Sequence, residues 1–193
     1  MKRISMLLMA MVFVGSCAFA QTHEVKLPAK PSIVDLFLAA VAYDKCDDAD
    51  YLQFAVEAVK CKPESFVKTI VDRPNGYLKV EIGSNEDGKV VESCYWKMNN
   101  GHQLLALRHV ASCDEEDSLH FFEFDKEAST VKELPLPFNL GLGQGEKFDG
   151  MMYELPRTGK TIKGKTYSVT TSDGDPFHWD ITWNGSKFVV KQH

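Results

Sequence analysis

The sequence predicts an α+β fold in which N-terminal helices pack on a curved, hairpin-built antiparallel β-sheet. Between Ser32 and Val71 apolar residues recur at helical spacing. From Tyr77 onward the period changes to two, and Val, Tyr, Phe, Thr and Trp gather in short runs. Turn residues separate those runs, in "NEDG", "NNG", "DKEAS", "SDGD" and "NG". Helices first and strands after is the order of an α+β domain rather than of alternating βαβ units.

Residues 1–20 read as a secretory signal peptide: Lys2 and Arg3, an apolar run from Ile4 to Val14, then small residues ending in Ala18-Phe19-Ala20. That run, of about 11 residues, is short of the roughly 20 that cross a bilayer as a helix, and no later segment comes close. A competing reading takes Val14-Gly15-Ser16-Cys17 as a lipoprotein processing site with Cys17 acylated, but the Ala-x-Ala site is the better match. The expected location is periplasmic or secreted, with anchoring through Cys17 as the alternative. Cleavage after Ala20 removes two positive charges and no acidic group, taking the formal charge from −5 to −7. Such a surface argues against nucleic acid and anionic membrane as partners. The remainder of the 193-residue chain is the length of one domain with a proper core.

Residues 21–31, "QTHEVKLPAKP", read as an extended arm, and 32–193 as a single α+β domain with helices in 32–71 and a β-rich part from 77 to 193. Ser32 and Asp35 have capping-box spacing, and Ile33, Leu36, Phe37, Ala40 and Val41 form the stripe of a packed helix. Asp47 and Asp48 can cap a second helix, striped by Leu52, Ala55, Val56 and Val59. Pro63 opens a short third helix through Val71, closed by "DRPNG". Strands are expected at 77–83, 89–98, 103–111, 119–125, 130–134, 148–155, 166–172, 177–183 and 187–191. The long connector 134–150 reads as a flap or as a boundary between two sheets.

No local motif names a reaction. "RTGKT" (157–161) ends like a phosphate-binding loop, but Glu154 stands where that loop needs glycine and Pro156 removes a donor, so a basic turn is the better reading. "GLGQG" (141–145) lacks dinucleotide-site spacing and reads as a loop. There is no HExxH pair and no GxSxG elbow. In "DPFHWD", alternation puts His178 and Asp180 on one strand face, where a carboxylate can orient an imidazole; the plainer reading is a solvated polar face. Trp96, Trp179 and Trp183 with Tyr77, Tyr95, Tyr153 and Tyr167 are either core or a sugar-binding platform. "CDEED" (113–117) lacks the calcium-loop pattern and reads as solvated. No cofactor and no metal site are expected.

The stretch "CYWKMNNGHQLLALRHVASC" (94–113) poses metal against disulfide. With Asn100-Gly101 as the hairpin turn, Met98 pairs with Gln103 and Cys94 with Leu107, placing Cys94 and His109 on one face and His102 on the other. Zinc needs four converging ligands, so the set is split. Cys113 lies roughly 20 Å along the strand from Leu107, too far for a bond to Cys94. Cys46 and Cys61 flank a helix roughly 20 Å long. The expected staples are therefore crossed, each helix-flanking cysteine (Cys46, Cys61) joined to a sheet cysteine (Cys94, Cys113), while a broken second helix or a bent hairpin would restore local pairing.

"PNGYLKV" (74–80), "YWKMNNGHQLLAL" (95–107), "FFEFDKEASTVKEL" (121–134), "LPRTGKTI" (155–162) and "WNGSKF" (183–188) together resemble a family of secreted proteins from gut Gram-negative anaerobes. The resemblance implies a shared fold and no activity, cofactor or catalytic residue, and the four cysteines are not part of it. Asp117-Ser118-Leu119 resembles the O-glycosylation signal of such bacteria, which makes Ser118 a candidate glycan site. The functional expectation is a non-catalytic extracytoplasmic binding or interaction module for a protein or glycan partner. The alternative is a hydrolase with a dispersed site near His178 and Asp180.

Overall fold

The computed structural model describes residues 22–43, 49–61, 65–83, 88–110, 118–141, 148–168 and 177–193. The arm carries β1 (Thr22–Glu24), followed by helices α1 (Ile33–Tyr43) and α2 (Ala49–Lys60). Then come β2 (Val67–Asp72), β3 (Tyr77–Ile82), β4 (Lys89–Lys97), β5 (Gln103–Val110), β6 (Ser118–Asp125) and β7 (Thr130–Leu134). Beyond the connector lie β8 (Phe148–Glu154), β9 (Thr161–Ser168), β10 (Phe177–Trp183) and β11 (Phe188–Gln192). All pairings are antiparallel, in a seven-stranded sheet of order β1-β7-β6-β5-β4-β3-β2 and a four-stranded sheet of order β11-β10-β9-β8. The α+β class holds, and the chain passes from the large sheet, which it leaves at Leu134 of β7, to the small one, which it enters at Phe148 of β8.

The helices form as their spacing predicts. Asp35 Oδ2 accepts from both the backbone N–H and the hydroxyl of Ser32 at 2.7 Å, closing the cap of α1. Ile33, Leu36, Phe37 and Ala40 are fully buried beneath it, and α2 adds Tyr51, Leu52, Ala55 and Val56. Their core is completed by one face of the seven-stranded sheet, with Leu78, Val80, Val91, Leu105, Leu107, Phe122 and Phe124. The alternate residues Tyr77, Cys94, Trp96, Leu104, Ala106 and Phe121 project from the opposite face and pack on Tyr153, Leu155, Ile162, Trp179, Ile181 and Trp183 of the four-stranded sheet. The layers therefore run helices, large sheet, small sheet.

The small sheet is locked on at one corner. The Phe188 ring lies 5.0 Å from Trp183, 5.4 Å from Phe121 and 5.6 Å from Trp96, edge-on or tilted to each. The Asn99 backbone N–H donates to the Gly185 carbonyl at 2.9 Å. Gly185 has φ +104°, and a Cβ there would sit 2.5 Å from Asn99 Oδ1, so glycine is required.

Three expectations are corrected. The third helix is instead β2, because Val67, Thr69, Ile70 and Val71 are β-branched and pair with β3 along six residues. "DRPNG" is consequently a hairpin turn: the Asn75 side chain donates to Asp72 Oδ1 at 3.1 Å, and Gly76 (φ +65°) lies beneath the Tyr95 ring. The ninth strand starts at Thr161 rather than 166, its alternation hidden because one inward position is Gly164. Finally, the β4–β5 register closes at Lys97↔Gln103, so Cys94 faces Ala106 rather than Leu107. That slip of one residue reverses β5, as a period of two requires. Arg108, not His109, shares the inter-sheet face with Cys94, and His109 goes to the helix side.

Candidate functional site

The inter-sheet face carries a buried polar cluster where apolar residues would otherwise continue. Glu92, 3% exposed, is opposite Arg108 on β5 and two residues from Cys94 on β4. Its Oε1 accepts from the Tyr77 hydroxyl at 2.5 Å and its Oε2 from Arg108 Nη1 at 3.1 Å. A longer bond of 3.4 Å from the Leu155 backbone N–H ties this carboxylate to the small sheet. Burial, and then the adjacent carboxylate, push the Tyr77 hydroxyl well above its ordinary pKa. The Cys94 thiol is pushed up by the same two causes.

Arg108 also lines a cleft of about 620 Å³ that runs beside β8. That volume lies within the range of ligand pockets. Val90, Val110 and Met152 give it apolar lining, with Arg108, Lys163, Lys165, His178 and Glu154 around them. Arg108 is paired with Glu92 and Lys163 with Asp180, which leaves the exposed Lys165 as the cation of this lining that no ion pair among the described residues engages.

The outer face of the small sheet shows how Lys165 comes to stand without a paired carboxylate. One cross-strand row reads Glu154, Lys163, Asp180, Lys191, alternating in sign, with Lys163 Nζ 2.6 Å from Asp180 Oδ1. The next row along reads Met152, Lys165, His178 and then His193, whose backbone N–H donates to the His178 carbonyl, and these four have no acidic side chain among them. Both Lys165 and His178 are exposed.

His178 and Asp180 do share one strand face, as alternation predicts. Asp180, however, is bonded to Lys163 and lies 3.3 Å from His193 Nε2. The Lys163 bond holds its carboxyl below the usual range. His178 lies at the cleft and on a neighbouring depression of about 310 Å³. Trp96, Trp179 and Trp183 are 6%, 1% and 3% exposed, and Tyr77 and Tyr153 are buried with them, so these five rings are core; Tyr95 is half-buried, and the Tyr167 side chain lies outside the described residues. Ser118 opens β6 opposite His109, half-buried.

On the helix side His109 is bonded to the Tyr51 hydroxyl of α2 and stacks on His120, whose Nδ1 is 3.1 Å from Glu133 Oε1. His102, at the β4–β5 tip, contacts Glu123 and Asp125. Cys94 is thus on the opposite face from His109 and far along the hairpin from His102. Among the described residues no group of three or more metal-ligating side chains converges.

Cys61 is an exposed free thiol and Cys94 a buried one. They lie on opposite sides of the large sheet, Cys61 beside α2 and Cys94 in the inter-sheet core, so the crossed staple between them is not formed. Cys17, Cys46 and Cys113 lie outside the described residues, as do the signal peptide, "CDEED" and most of "GLGQG".

Sequence reasoning missed Glu92, Arg108 and Lys165. A signal was present: in "KVVESCYWK" the acidic residue falls at an inward parity, with Arg108 available to face it. No described helix is long and apolar enough to cross a membrane. Comparison with protein-family models, curated proteins and solved structures yields no match.

Proposed function

We propose that this chain is an extracytoplasmic, non-catalytic binding module, exported through residues 1–20, that docks a protein partner in the cleft beside β8. The cleft itself carries the reading: it joins apolar lining to the exposed ammonium of Lys165 on a chain of net negative charge. Arg108 is held there by a buried carboxylate, the kind of fixed polar group that orients a ligand. A protein is favoured over a glycan because the cleft's lining offers apolar side chains and charges, while the three tryptophans are buried in the core. The hydrolase alternative requires Asp180 to orient His178, whereas its carboxylate is engaged by Lys163 and His193.

The test is capture from a cell-envelope extract by the mature chain and by its Met152→Trp variant, which fills the cleft from a partly exposed position. The expected result is a partner held by the wild type and lost by the variant. Equal capture by both would remove the cleft from the interaction. Turnover of ester, peptide or glycoside substrates that disappears in His178→Ala would favour the hydrolase.

A further inference from the structure

Resting on the docking reading, we infer that the cleft recognises an extended acidic peptide segment, gripped by the uncompensated Lys165–His178 row with Arg108 and laid along the edge of β8. Three independent features converge. The first is the contrast between adjacent rows of one sheet. Glu154, Lys163, Asp180 and Lys191 neutralise one another, as side chains directly opposite on a solvated sheet face ordinarily do. Lys165 and His178 stand directly opposite each other with Met152 as the next member of the row. Neither stands opposite an acidic side chain in its row, so an incoming anion meets an ammonium and an imidazole together.

The second feature is the place of this row. It opens onto the 620 Å³ cleft, where Arg108 approaches from the other sheet and Val90, Val110 and Met152 supply apolar surface. A ligand that matches must carry acidic and apolar groups in close alternation. The third is the strand order. Among the described residues β8 is the terminal strand of its sheet and pairs with β9 on one side only. An edge strand offers main-chain donors and acceptors to another extended chain, with alternate side chains entering pockets. A peptide with acidic and aliphatic residues alternating satisfies all three, whereas a sugar acid uses only the charge.

The test employs an acetylated peptide of alternating glutamate and valine, its lysine–valine counterpart and a galacturonate oligomer, each titrated into the isotopically labelled mature protein at low salt. The acidic peptide is expected to shift amide resonances of β8, β9 and β10, and to bind about tenfold more weakly to Lys165→Glu, the scale of losing one close charge pair. The lysine peptide is expected to gain affinity for that variant. Lys165 is exposed, so the variant should keep the wild-type melting temperature, which separates a binding effect from misfolding. Unchanged affinity in Lys165→Glu, or shifts confined to other strands, would overturn the inference. Shifts at the same residues from galacturonate and none from the peptide would overturn it in favour of an acidic glycan. An envelope partner captured equally by wild type and Lys165→Glu but lost by Met152→Trp would leave the docking reading standing and remove acidic recognition alone. Capture unaffected by either substitution would remove both.

Discussion

The two faces of the seven-stranded sheet are built to different rules. The face under α1 and α2 is filled largely by Leu, Ile, Val, Ala and Phe at helical and strand spacing. Among its polar insertions are Ser93, whose hydroxyl donates to the Ala106 carbonyl, and the Tyr51–His109 bond, which fastens helix to sheet. The opposite face is dominated by large aromatic rings and buries a carboxylate, a phenol and a thiol, with the half-buried Arg108 guanidinium beside them at the cleft. A buried ion pair is weak evidence for stability, because desolvation offsets much of the attraction between the partners. Breaking one by removing a single partner is still strongly unfavourable. The difference teaches where to look for function: the helix side accounts for itself as packing, and the inter-sheet side holds charged groups that packing did not require.

The comparison can be tested by unequal perturbation. The largest effect is expected from Trp96→Ala, which opens a cavity between the sheets at a side chain 6% exposed and should cost about 3–5 kcal/mol in chemical denaturation. Unchanged stability would mean that the sheets do not depend on this contact. Next is Glu92→Gln, expected to cost about 1.5–3 kcal/mol because Arg108 and Tyr77 lose a charged acceptor. Tyr77 adds a pH signature. Its hydroxyl has a folded pKa above the ordinary tyrosine value of about 10, so its contribution is complete below that value and is lost as pH rises beyond it. Wild-type protein should therefore weaken above about pH 10 more steeply than Tyr77→Phe, and parallel curves would contradict the buried phenol.

The smallest effect is chemical and leaves stability untouched. Cys61, exposed beside α2, should react with iodoacetamide in the native state, whereas Cys94, its thiolate disfavoured by burial and by Glu92, should react only after unfolding. Peptide mapping of the alkylated protein distinguishes them. Equal native labelling would place Cys94 at the surface, and a peptide linking Cys61 to Cys94 would restore the crossed staple.

Much of the fold was legible because hairpins announce themselves locally. Strands such as 130–134 and 177–183 are bounded by turn residues and alternate cleanly, and the structure places them at those positions. Legibility fails where local signals compete. Pro63 suggested a helix start, but pairing with β3 decided for Val67–Asp72. In the "MNNGH" turn, one residue in loop length chose which face His109 and Arg108 occupy, and only the observed register settles it. The candidate site was less legible still. His178 was picked for a partner, Asp180, that is bonded elsewhere, and the residues beside it in space, Lys165 and Arg108, come from strands that sequence cannot bring together. The crossed disulfide rested on rejecting the local pairs by distance, which does not say on which side of the sheet Cys94 lies; it lies in the inter-sheet core, and both Cys61 and Cys94 are free.

The most direct test of the account is site-directed photo-cross-linking. Benzoylphenylalanine is placed at position 152, in the cleft, and in a second preparation at position 189, half exposed on β11 at the opposite edge of the same sheet. After irradiation in envelope extract, the account predicts a discrete protein adduct from position 152 and none from position 189. Adducts from 189 alone, or identical adducts from both, would contradict the claim that the cleft beside β8 is where this protein binds its partner.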